Sequence, residues 1–143
     1  MSLDEVESTR PVGLQWLLHS EDRINAVPDG AVIRCAKSRM RVFFPPRYLK
    51  VSACREPGVE VERKKPLVGW RLAAWPRWKG PYMILPAVML FGKGQDKAVV
   101  EFPDTRTTLG IRILSGGKQY LFGWKKVLSG WEFTGLRITK KGK

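Results

Sequence analysis

The chain has 143 residues, with 26 lysines and arginines against 13 acids, a net charge of +13, 43% hydrophobic residues and six tryptophans. That length suits one domain and buries roughly two-thirds of the surface its unfolded form exposes, while the aromatic content excludes a chain disordered throughout. A charge of this size points to a negative partner rather than a neutral one: nucleic acid first, then a membrane surface or an acidic protein.

The charge is uneven. Residues 1–30 carry six acids and two bases, and residues 31–143 carry 24 bases and seven acids. The expected organisation is an acidic N-terminal segment over 1–30 and a basic β domain over 31–143, forming a single globular domain overall. The acidic opening Asp4, Glu5, Glu7 does not read as a secretory signal. The longest apolar run, nine residues from Met83 to Phe91 with Pro86 inside it, is well short of the roughly 20 that a membrane-spanning helix needs. The chain is therefore expected to be soluble and intracellular, in the cytoplasm or a compartment that contains nucleic acid. Cys35 and Cys54 are expected to be thiols, and a single imidazole, His19, without Cys-x-x-Cys spacing speaks against zinc.

In chain order, Thr9 has the chemistry of a helix cap and Pro11 suits a first turn. Leu14, Leu17, Leu18 and Ile24 fall near helical spacing, with Glu21, Asp22 and Arg23 facing away, which predicts a short amphipathic helix over about 10–25. Val27-Pro28-Asp29-Gly30 has the composition of a turn. From residue 31 the period becomes two. Ala31, Ile33 and Cys35 alternate with Val32 and Arg34, and Met40, Val42 and Phe44 alternate with Arg39, Arg41 and Phe43, giving two half-buried strands that end at Pro45-Pro46. Leu49, Val51 and Ala53 mark a third strand, and Val59 and Val61 begin a fourth.

Residues 67–82, LVGWRLAAWPRWKGPY, read as a strand leading into an exposed loop. A meander is expected after it over 83–91, 97–102, 108–114, 118–124 and 131–139, joined by glycine-containing turns. Trp131 and Phe133 are in phase, but Leu136 and Ile138 are one residue out, so a β-bulge is predicted at Gly135. The fold class that follows is mainly β: a small β-barrel or strongly bent antiparallel sheet, OB-like or SH3-like in architecture, with one short N-terminal helix.

Three groups of residues carry possible chemistry. The first is a run of cations without an acid between them, Arg34, Lys37, Arg39, Arg41, Arg47, Lys50 and Arg55, in which Arg39, Arg41 and Phe43 project from one strand face. Guanidinium forks pair with phosphates while a base stacks on a ring. The second interleaves rings and cations: Trp70, Arg71, Trp75, Arg77, Trp78, Lys79 and Tyr82. The third is Lys125 and Lys126 beside Trp124 and Trp131, with Lys140, Lys141 and Lys143 beyond; both tryptophans are expected in the core. The bland alternatives are a solvated basic face and an internal ladder of arginines on rings.

One catalytic outline is present. Asp29, then Glu62 and Lys64, resembles the Asp…Glu-x-Lys constellation of metal-dependent nucleases, where two carboxylates hold Mg²⁺ and a lysine faces the phosphate.

The function expected is that of a non-catalytic nucleic-acid-binding protein without cofactor, holding single-stranded or structured RNA or DNA with little sequence specificity. Its interface would use Arg34, Lys37, Arg39, Arg41, Phe43, Arg47, Lys50, Arg71, Trp75, Arg77, Trp78, Lys79, Lys125 and Lys126. The alternative is a structural subunit of a larger assembly, a ribonucleoprotein or viral particle, docking through the Trp/Arg loop. Third comes the metal-dependent nuclease.

Overall fold

The computed structural model describes residues 1–35, 37–47, 49–57, 68–77, 79–92, 97–103, 108–128 and 130–140. They form twelve strands in three antiparallel sheets, divided between two compact units, Met1–Lys93 and Gly94–Lys143. No helix among the described residues is long and apolar enough to cross a membrane.

The helix expected over 10–25 is absent. That stretch is the end of β1 (Ser2–Val12), all of β2 (Trp16–Ser20) and the start of β3 (Ile24–Val27). The Leu17-Leu18 doublet imitates helical spacing, but the period in force is two: Leu14, Trp16 and Leu18 pack on the core while Leu17 stays 44% exposed. Gly13 also disfavours a helix here.

In the first unit, a five-stranded sheet in the order β1-β8-β5-β4-β3 contains β4 (Gly30–Arg34), β5 (Arg39–Phe43) and β8 (Gly80–Phe91). A three-stranded sheet in the order β2-β7-β6 contains β6 (Leu49–Pro57) and β7 (Val68–Pro76). Ile24, Ala31, Ile33, Val42, Leu85 and Ala87 of the larger sheet form one buried cluster with Leu49, Leu72 and Ala74 of the smaller. Phe44 joins it and meets the edge of the Trp16 ring, centroids 5.1 Å apart. Pro45-Pro46, expected to end a strand, follows β5 just before the chain crosses to the other sheet.

No closed barrel forms. Strands β1, β3, β2 and β6 end their sheets without a further partner strand among the described residues. Each sheet buries a face against the other, and this satisfies the apolar alternation without closure.

The hairpin between β3 and β4 uses the turn foreseen at 27–30. Gly30 has φ 148°, and a β-carbon there would come 1.8 Å from the carbonyl oxygen of Val42, so only glycine fits. The Phe44 N–H donates to the carbonyl oxygen of Asp29 at 2.9 Å and ties the hairpin tip to the end of β5.

The second unit is a meander in the order β12-β11-β10-β9, built from β9 (Val99–Glu101), β10 (Thr108–Ser115), β11 (Lys118–Val127) and β12 (Gly130–Lys140). Gly116 and Gly117, both at positive φ, make the tight turn between β10 and β11. An ion pair between Arg112 and Glu101, which are register partners, joins β10 to β9. The meander lacks its expected first strand, because β8 pairs with β1 and β5 in the first unit. The physical reason lies in its sequence: residues 85–88 are buried in succession, so β8 hides both faces and takes an interior place in a sheet. The predicted bulge is present. Gly123 pairs with Gly135 and Trp124 with Phe133, which leaves Thr134 as the extra residue.

Candidate nucleic-acid interface

Alternation in β6 and β7 decides which side chains leave the core. Leu49, Val51, Ala53, Leu72 and Ala74 turn inward, so Lys50, Ser52, Cys54, Arg71, Ala73 and Trp75 line the outer face of the three-stranded sheet. Lys50 lies directly opposite Trp75 in the register. β7 stops at Pro76, and the exposed Arg77 and Lys79 follow before β8 begins at Gly80.

These residues enclose an open cleft of about 340 Å³ lined by Gly13, Leu14, Lys50, Trp75, Pro76, Arg77 and Lys79. The volume falls at the lower end of small-molecule sites. Among the described residues of the lining there are three cations, one half-buried indole and no acid. The Lys79 stem passes Gly13 closely enough that a β-carbon there would be 3.6 Å from Cε. Gly13 and Leu14 were missed as part of the site because they fall in the stretch expected to be helical. The alternation of Leu14, Trp16 and Leu18 is the signal that would have placed them.

The other expected residues divide by environment. Arg34 and Arg39 are register partners on β4 and β5, Lys37 sits in the turn between them, and all three are exposed, so a second cationic group forms at that hairpin end. Arg47 is exposed in the turn before β6. Arg41 shares the face of Arg39, as the alternation requires, but its side chain is only 14% exposed and its Nη2 donates to both oxygens of Asp29 at 3.0 and 3.2 Å. Its guanidinium covers the Phe43 ring at 4.5 Å, and Phe43 is 1% exposed. This pair of residues holds the hairpin to the sheet, and the ring is not presented to a base.

Arg71 is likewise engaged within its sheet. Its Nη2 lies 2.9 Å from Glu56 Oε1 and 3.7 Å from Cys54 Sγ, and Glu56 is 3.9 Å from His19. Arg23 stands over Trp70 at 5.7 Å. In the second unit Trp124 is buried against Phe133, centroids 5.4 Å apart, and Lys126 lies 5.8 Å from the centre of the Trp131 ring. Lys125 is exposed opposite Glu132. Trp78, Glu62 and Lys64 lie outside the described residues, as do Lys141, Lys143 and the side chain of Tyr82.

For the nuclease outline, the one described member, Asp29, spends its carboxylate on Arg41. Among the described residues no group of three or more His, Cys, Asp or Glu side chains is placed to hold a metal ion. Cys35 and Cys54 are free thiols. The Cys35 thiol is held above its ordinary pKa, chiefly by its hydrogen bond to the Asp22 carboxylate and secondarily by burial.

The structural role of Arg41 has a measurable consequence. Asp29→Ala leaves a mostly covered guanidinium without its carboxylate; because Asp29 itself is 44% exposed, the expected loss of stability is about 1–2 kcal/mol in a urea melt. Asp29→Asn, which keeps one acceptor, is expected to lose less.

No protein-family model matches this chain, and no curated protein is similar to it in sequence.

Proposed function

We propose that this chain is a non-catalytic nucleic-acid-binding protein and that the Lys50/Trp75/Arg77/Lys79 cleft is its principal contact with a single strand. The observation that carries this reading is the lining of the cleft: among the described residues, three cations surround one indole and no acid stands with them. In such a site the cations take phosphates with release of counterions, and the ring offers a stacking platform that every base fits. Little base readout is implied, because phosphate contacts and ring stacking are open to any base sequence.

Two further features support it. Both units are basic, with 16 bases and 9 acids in residues 1–93 and 10 bases and 4 acids in residues 94–143. The exposed group of Arg34, Lys37 and Arg39 adds a second place for phosphates.

The test is fluorescence anisotropy of a labelled single-stranded oligonucleotide over a range of salt. Affinity is expected to fall log-linearly with salt, with a slope of about −2 from the cleft cations alone at roughly 0.7 per phosphate contact. Affinity that is unchanged between about 50 and about 200 mM salt would remove this reading. A salt-insensitive protein complex in its place would support the assembly subunit.

A further inference from the structure

β12 ends its sheet: β11 lies on one side, and no described strand lies on the other. Proteins usually blunt such edges with short strands, prolines or charge. β12 runs for eleven residues without a proline. On one of its faces Phe133 is 52% exposed, Leu136 48% and Ile138 55%.

The bulge puts these three on a common face. Phe133 stands opposite Trp124, Leu136 opposite Phe122 and Ile138 opposite Tyr120. Glu132 and Arg137 stand opposite Lys125 and Leu121, on the other face. Read outward from the Thr134–Gly135 step, the strand is therefore symmetric in chemistry. Phe133 is matched by Leu136, Glu132 by Arg137 and Trp131 by Ile138.

We propose that two copies of the chain pair edge to edge through β12, antiparallel, about a two-fold axis at the Thr134–Gly135 step. In this register Phe133 of one copy faces Leu136 of the other, and Glu132 faces Arg137, each contact occurring twice. Opposed residues must point to the same face of a sheet. In an unbroken strand Phe133 and Leu136 would point to opposite faces, so the bulge is what makes the self-pairing possible. Sliding the two strands by two residues in either direction loses both Glu–Arg pairs and sets each bulge against regular strand. The occupant that fits this edge is thus a second copy, fixed in register by charge.

The test uses the full chain after nuclease digestion, with mass measured by light scattering or sedimentation across the micromolar range at about 0.15 M salt. The wild type is expected to pass from one chain to two as concentration rises. Arg137→Glu and Glu132→Arg each set like charges against one another at two places, and each is expected to weaken self-association at least about tenfold. Mixed in equal amounts, the two variants are expected to dimerise with each other, because both contacts are then complementary. Thermal melts establish that each variant is folded. A wild type that stays monomeric throughout overturns the proposal. So do single variants that dimerise as the wild type does, and folded variants that remain apart when mixed.

Discussion

Replacing Lys50, Arg77 and Lys79 together with alanine is expected to lower single-strand affinity by about 100-fold at roughly 0.1 M salt and to flatten the salt slope by about two. The size follows from counterion release: at about 0.7 per contact, each lost phosphate contact costs about fivefold at that salt. All base sequences should weaken alike. Trp75→Ala is expected to fail differently, costing about 1–3 kcal/mol on single strands, much less on duplex, and leaving the salt slope nearly unchanged. The two outcomes separate charge from stacking within one cleft. If both variants remain folded and bind with full affinity, the cations of the cleft are a solvated face and the binding reading falls.

Gly30→Ala is expected to have the largest effect on stability. A methyl group cannot share space with the Val42 carbonyl at 1.8 Å, and the atom in the way is backbone. The hairpin must open or β5 must move, which breaks the Asp29–Arg41 pair and shifts Val42 and Phe43, both buried. A loss of about 4 kcal/mol or more is expected, enough to unfold a marginal domain. Circular dichroism melts measure it. A melting temperature within a few degrees of the wild type would show that the hairpin yields more easily than its geometry states. The nucleic-acid reading does not depend on this result.

Much of the fold is legible in the residues because a half-buried strand declares its inward face. Ala31/Ile33, Met40/Val42 and Leu49/Val51/Ala53 all reach the core they predict. The out-of-phase pairs Trp131/Phe133 and Leu136/Ile138 locate the bulge by alternation alone. Residues 10–25 misled because two adjacent leucines satisfy a helical template by chance and mask the alternation of Leu14, Trp16 and Leu18, which the pairing of β2 with β7 makes plain by leaving Leu17 exposed.

The candidate site was legible in part for a similar reason. Trp75, Arg77 and Lys79 lie within five residues of one another, so their clustering needs no tertiary information. Lys50 joins them only through the β6–β7 register. Arg41 looked like an outward cation because its partner Asp29 is twelve residues away, across a hairpin. Phe43 looked available for stacking because alternation gives direction and says nothing of what covers a face.

The pairing of β1 with β8 has a consequence for how the chain is made. Ser2 stands opposite Ala87 and Glu7 opposite Tyr82, so β1 has no docking site until β8, about 70 residues further along, has been synthesised. Hairpins such as β3–β4 and β6–β7 close locally and early, whereas β1 must wait through most of the first unit. Its charged residues Asp4, Glu5 and Glu7 keep that waiting strand hydrated and poorly suited to pairing with neighbouring nascent chains. Charge on β1 thus disfavours its pairing with other strands before β8 is in place.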